Sequence, residues 1–239
     1  MAYGSQPRWT DRSAATQFDV DVGLRSYMLR IYNYMASALA LTGIVAYAFA
    51  GYLETHRELV HSPVMWLIIL APLGLVLWLS YGINRLSASA AQGIFWLYAG
   101  LMGLSLSTVF LVYTGASIAR VFFITAGTFA AMSLYGYTTR RDLSQIGSFL
   151  FMGLIGIVIA SVVNMFLLSS ALQFAISVIG VVVFTGLTAW DTQQIKETYY
   201  EGAGSEIAGK QAVMGALRLY LDFVNLFMML IQLLGVRRD

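Results

Sequence analysis

Apolar positions along this chain gather into seven long runs separated by short polar links. The runs cover Met28–Tyr52, Pro63–Tyr81, Ala88–Tyr113, Ile118–Tyr137, Ser148–Leu168, Ala171–Trp190 and Met214–Leu234. Each is close to, or longer than, the roughly 20 residues a helix needs to cross the hydrocarbon layer of a bilayer. Leu, Ala, Met and Gly dominate them, and none shows the strict alternation of a barrel strand, so the spacing predicts helices. The links Glu54–Ser62, Gly82–Ser87, Thr114–Ser117, Thr138–Gly147 and Leu168–Ser170 are tight enough to force antiparallel neighbours. The expected fold is therefore all-α: a polytopic membrane protein with seven transmembrane helices in residues 28–239. Residues 1–27 are polar, lack the apolar core of a signal peptide, and read as a mobile cytoplasmic tail. Small residues at Gly100 and Gly103, Gly153 and Gly156, and Gly180 and Gly186 suit ordinary close packing of membrane helices.

Composition agrees with the pattern. Hydrophobic residues make up 59% of the 239 and charged residues 11%, against about 25% charged in a soluble domain. The lipid bilayer is thus the first expected partner. A net charge of +2 and the lack of any basic run with interleaved aromatics argue against nucleic acid. Cysteine is absent, which removes disulfides, thiolate catalysis and cysteine metal sites. The two histidines, His56 and His61, share one polar link without a clustered carboxylate, so neither a structural metal nor a bound cofactor is expected.

Lys and Arg placement sets the orientation. Arg8, Arg12 and Arg25 lie in the tail, Arg85 in the second link, Arg140 and Arg141 in the fourth, and Lys196 and Lys210 around the sixth. The odd-numbered links hold only Arg57, with Arg120 at a helix start. The N-terminus is expected in the cytoplasm, and seven full spans would put the C-terminus on the far side. Arg237 and Arg238 argue mildly against that, and a seventh helix that dips in and returns is the alternative.

Two acids break the apolar pattern. Asp222 sits inside the seventh run and Asp191 ends the sixth. A carboxylate at mid-membrane costs about 2.5–3.5 kcal/mol on insertion scales, so something must stabilise it or use it. Asp191 to Tyr200 contains no helix breaker, so the sixth helix should continue about two turns past Asp191. The seventh can begin within Lys210–Leu217. The hairpin midpoint falls near Glu206, equidistant from the two acids, which places them at similar depth near the cytoplasmic end of the membrane layer. Two carboxylates at one depth on adjacent helices can share a single proton, making a proton-sensitive latch. Against that, Asp191 with Thr192 and Gln193 could be an interfacial polar cluster. Asp222 could also be neutralised by Arg218, one turn earlier, or by Arg85, which would make it structural glue.

The segments AWDTQQIK (Ala189–Lys196) and LYLDFVNLF (Leu219–Phe227) resemble the two signature segments of the Bax inhibitor-1, or transmembrane Bax inhibitor motif, family. SLYGYTTRRDLS (Ser133–Ser144) resembles its fourth-helix exit. The likeness runs from about Gly23 onward and is nearest to the bacterial inner-membrane branch. It implies a seven-helix fold with the seventh helix central. It further implies a pH-sensitive calcium leak in which Asp191 and Asp222 are the sensor and possible cation ligands, with calcium and protons as the species handled. In the closed form it implies that a proton bridges the pair and an arginine at the end of the second helix, here Arg85, helps to hold it. Some bacterial relatives bind a membrane protease, so a regulator or binding partner of another membrane protein is the alternative function. The longer link Glu201–Lys210 and Arg218 before LYLD depart from a minimal member.

Enzyme chemistry is not expected. Intramembrane aspartyl proteases carry glycines beside the second acid, and Asp222 has none. A serine protease would need a histidine at membrane depth, and a retinal protein would need a lysine within a span.

Overall fold

The computed structural model describes residues 9–60, 62–200 and 203–238, with side chains from residue 22 onward. Seven helices follow one another: α1 (Trp9–Thr55), α2 (Pro63–Gly82), α3 (Ala88–Val112), α4 (Gly115–Thr138), α5 (Ser144–Leu167), α6 (Ser170–Glu197) and α7 (Ser205–Leu234). Every one is long and apolar enough to cross a membrane. Among the described residues there is no strand, only an isolated bridge between Tyr113 and Arg237.

The tight links work because polar residues sit where helix starts need them. Ser87, Thr114 and Ser169 precede α3, α4 and α6, and their hydroxyl oxygens accept from the N–H groups of Ala90, Ser117 and Leu172. Each cap satisfies a donor that the first helical turn would leave open. The shortest link turns at Leu168, which adopts a left-handed φ of 50°. Asn164 supports that turn: its backbone carbonyl accepts from the Leu168 N–H at 2.9 Å, and its Oδ1 accepts from Ser169 N–H at 3.0 Å.

The N-terminal segment differs from expectation. The first apolar run, from Met28, lies in a helix that already begins at Trp9. After Pro7 no proline occurs before residue 63, and no glycine before Gly23, so nothing interrupts the helix below the span. Residues 1–8 of the expected tail lie outside the described residues.

At the other end, α7 crosses the whole bundle. Its C-terminal extension lies beside the α3–α4 link: Thr114 N–H donates to Val236 O at 3.0 Å, and Arg238 N–H to Val112 O at 2.8 Å. Arg238 also pairs with Glu54 at the end of α1, at 2.7 Å. The C-terminus therefore lies at the end of the bundle where α1 finishes, and the dip-and-return alternative is overturned. The terminal charge that argued against a full span meets a carboxylate there.

Helix α7 is central, packed against α1, α3, α4 and α6, while α2 lies on the outside of α3 and α5 on the outside of α6. Half of its most apolar window is buried, the largest share of the seven. Leu219, Tyr220, Leu226 and Ile231 on α7 are fully buried. Thr42 of α1 donates to Ala99 O of α3 at 2.9 Å. Its hydrogen being used there, the 2.7 Å contact between Thr42 and Tyr220 is donated by the tyrosine. One hydroxyl thus ties three helices in the core.

Two glycines set helix approach. A Cβ on Gly103 would lie 2.8 Å from Thr42 O, whereas Gly100 faces open space. A Cβ on Gly136 of α4 would lie 2.1 Å from the Ala189 carbonyl oxygen of α6. That contact sets the depth at which α4 meets the AWDTQQIK segment. By contrast α1 and α4, although both lie on α7, scarcely touch one another and leave a groove between them.

Candidate functional site

The register of the α6–α7 hairpin follows from its neighbours. Gly215 faces Ile195, Asp222 faces Asp191, and Gly180 faces Met229. The two acids therefore stand side by side. Helix α6 ends at Glu197, so Asp191 lies about 9 Å from its end at 1.5 Å per residue. Helix α7 begins at Ser205, earlier than the expected Lys210, because its first residues continue past the end of α6. They find a partner outside the hairpin: Glu206 Oε1 accepts from the Ala88 N–H at the start of α3, at 2.7 Å.

The carboxyl groups of Asp191 and Asp222 are close enough for a side-chain hydrogen bond to form between them. Asp222 is only 5% exposed, and no protein donor reaches its buried Oδ2. Two carboxylates are both acceptors, so that bond exists only while one of them carries a proton. A buried carboxylate without a donor is costly, and a proton or a cation must accompany it.

Arg218 contributes the positive charge nearby, but to the other acid. Its Nη1 lies 3.8 Å from Asp191 Oδ1, with the arginine side chain 55% exposed and the aspartate 14%. The i, i+4 pairing of Arg218 with Asp222 is not what forms. Asp222 turns inward, while Arg218 stays at the surface and reaches across to α6. Arg85 is not brought to the site. It is exposed in a single turn, Ile83–Arg85, after α2, and among the described residues it makes no ion pair with either acid. The cause is the position of α2, which packs on α3 and not on the hairpin.

Residues around the pair hold α6 in place. Gln193, read as part of an interfacial cluster, is buried. It clamps the α4–α5 link: its Oε1 accepts from Leu143 N–H and its Nε2 donates to Arg141 O, both at 2.8 Å. Lys196 donates to Tyr137 O at 2.9 Å. On the other side, Thr192 donates to Thr188 O at 2.7 Å and contacts Ser133 Oγ at 3.0 Å, which in turn meets the Tyr32 hydroxyl at 2.6 Å. Tyr32 and Ser133 went unnoticed as a pair. Their only signal was a polar atom in each of two apolar runs, with nothing in sequence to join them.

His56 stacks on Tyr52 with ring centroids 4.1 Å apart, and His61 lies outside the described residues. Among the described residues no three His, Asp or Glu side chains gather as metal ligands. The two aspartates are therefore a pair rather than a closed metal cage. They could hold a cation only together with carbonyl oxygens or water.

Comparison with known proteins agrees with the architecture. A family model described as inhibitor of apoptosis-promoting Bax1 matches residues 24–239. An uncharacterized protein, RP147, of Rickettsia prowazekii is 53% identical over 219 residues, covering 92% of this chain and 93% of that protein. Inner membrane protein YbhL of Escherichia coli is 50% identical over 220 residues, covering 90% and 94%. A membrane protein of Streptococcus pyogenes is 35% identical over 220 residues with the same coverage. With the signature segments folded into one antiparallel hairpin and the match spanning all seven helices, this chain belongs to the Bax inhibitor-1 family of membrane proteins.

Proposed function

We propose that this protein is a passive calcium leak of a bacterial inner membrane, opened and closed by proton occupancy of Asp191 and Asp222, with its N-terminus in the cytoplasm. The observation that carries the reading is two carboxyl groups facing each other across α6 and α7, one of them with a buried oxygen that no donor reaches. With one proton in place the pair holds α6 to α7. When that proton leaves, two like charges face each other in a low-dielectric site, and the contact becomes repulsive. Calcium prefers hard oxygen ligands, and Asp222 is the one buried acid among the described residues, with Asp191 half-buried beside it. The positive residues of the even-numbered links and YbhL's inner-membrane name support the location and orientation.

The test is calcium flux from liposomes holding the purified chain, measured across pH. Asp222→Asn keeps the shape and removes the titration, so flux should become independent of pH while the thermal unfolding temperature stays near that of the unaltered protein. An unchanged pH profile in that variant would remove the pair from the mechanism. Flux absent at every pH, together with a stoichiometric complex with another membrane protein such as a protease, would make the chain a regulator instead.

A further inference from the structure

The groove between α1 and α4 has no role in the proton-gated reading. It encloses about 970 Å³ and is floored by α7 through Phe223. It runs along α1 from Arg25 to Ile44, which is about 28 Å at 1.5 Å per residue. Small side chains line both walls: Ala36 and Ala40 on α1, Ala126 and Ala130 on α4. Faces of this kind normally let membrane helices close on one another, yet here the two helices meet through the Tyr32–Ser133 hydroxyl pair and leave space between them elsewhere. Because both walls belong to membrane spans, the groove opens sideways onto hydrocarbon.

Its charge is confined to one end. Arg25 is the single charged side chain among the described residues lining it; the other polar groups are hydroxyls, with those of Tyr32 and Ser133 bonded to each other at 2.6 Å. Arg25 lies three residues before Met28, where the first long apolar run begins, at the level where the hydrocarbon gives way to the headgroup layer. A second recess adjoins it along α1 and shares Arg25 with Ser26, Arg30 and Asn33. An apolar trough of membrane length that ends on a cationic side chain, with Arg30 in the adjoining recess, matches one molecular shape: an acyl chain carrying a negatively charged phosphate.

We infer that this groove binds an anionic glycerophospholipid, with the phosphate on Arg25 beside Arg30 and one acyl chain between α1 and α4. The chain would rest on Phe223, the neighbour of Asp222, whose ring also packs against Phe129 and Phe122 at 5.5 Å between centroids. The lipid is therefore structurally adjacent to the acid pair, but its binding does not depend on calcium passing through the protein.

Native mass spectrometry of the delipidated full chain in detergent tests this. The probes are phosphatidylglycerol, phosphatidylcholine with the same chains, and glycerol phosphate alone. Phosphatidylglycerol should form a one-to-one adduct about fivefold more readily than phosphatidylcholine, as expected for one basic residue at a headgroup. Arg25→Gln should erase that preference while keeping weak binding of both lipids. Ala130→Trp and, from the opposite wall, Ala40→Trp should each lose both adducts, and either folded variant suffices. Glycerol phosphate should not bind. Equal retention of the two lipids, a preference that survives Arg25→Gln, adducts unaffected in a folded tryptophan variant, or binding of glycerol phosphate alone would each overturn the proposal.

Discussion

Arg218 offers the most direct handle on the acid pair, because it touches one member and can be removed without altering either. Its guanidinium lies 3.8 Å from Asp191. At that distance two unit charges interact by about 1 kcal/mol at the dielectric constant of water and about 4 kcal/mol at an effective value of 20. The arginine side chain is 55% exposed, so screening favours the lower figure, and about 1–1.5 kcal/mol is the working magnitude. Removing a cation beside a carboxylate makes protonation easier, so in Arg218→Gln the proton-bridged, closed form should persist to higher pH. At about 1.4 kcal/mol per pH unit, the midpoint of the flux profile should rise by about one unit. Arg218→Lys should move it much less, and raising the salt concentration should shrink the difference between Arg218→Gln and the unaltered protein. The assay is the same liposome flux series. A midpoint that stays put in Arg218→Gln, or falls, would show that the ion pair plays no part in setting proton occupancy.

Other features carry their own expectations. Gly136→Ala would push a methyl group onto the Ala189 carbonyl, and should destabilise the fold by about 1–3 kcal/mol, read as a lower unfolding temperature in detergent. Gln193→Leu leaves the Leu143 N–H and Arg141 carbonyl of the α4–α5 link without their partner. Loosening there, seen as faster amide exchange over residues 139–144 and a loss of about 1–3 kcal/mol, should result. In that same link the Asp142 carboxyl is held below its ordinary value by hydrogen bonds from the Ser144 hydroxyl and backbone N–H. A depressed folded-state value means that its contribution is present above the unfolded value and is lost as pH falls through the folded one. The Asp142 carboxyl resonance should therefore titrate below that of a model peptide, and Ser144→Ala should bring it back toward the model.

Much of this arrangement was legible in the chain. Seven apolar runs gave seven helices, since nothing but a closed backbone ladder survives in hydrocarbon. Equal spacing from Glu206 anticipated that Asp191 and Asp222 would meet, but the turn is not centred there. Helix α6 stops six residues past Asp191 while α7 starts seventeen residues before Asp222, so the pairing is set by how the two helices pack and not by a symmetric hairpin. What stayed hidden was lateral. The angular position of α2 outside α3 separates Arg85 from the hairpin, and no spacing along the chain encodes it. Arg218 was visible as a neighbour of Asp222 on one helix face, yet inward rotation of Asp222 hands it to Asp191. The extension of α1 back to Trp9 was missed for a simpler reason: polar residues such as those of Thr10–Asp19 form helix as readily as tail, and hydropathy does not separate the two.

The supports around the hairpin constrain how a proton could act at its centre. At the end holding the acids, Gln193 fastens α6 to the α4–α5 link, Lys196 fastens it to the last turn of α4, and Glu206 fastens α7 to α3. At the opposite end, Gln173 and Ser177 of α6 both donate to Gln232 Oε1 of α7, at 2.5 Å and 2.8 Å. Repulsion between ionised Asp191 and Asp222 would thus fall between these pins, close to the Gln193 clamp on α6. Splaying the hairpin would break several buried hydrogen bonds, each costing about 1–3 kcal/mol to leave unmade. Turning one carboxyl away costs a rotamer change of about 0.5–1.5 kcal/mol and a local shift in packing. In the proposed mechanism the first motion is therefore rotation at Asp222, and the ring directly beside it, Phe223, is the side chain through which that rotation reaches the wall of the α1–α4 groove.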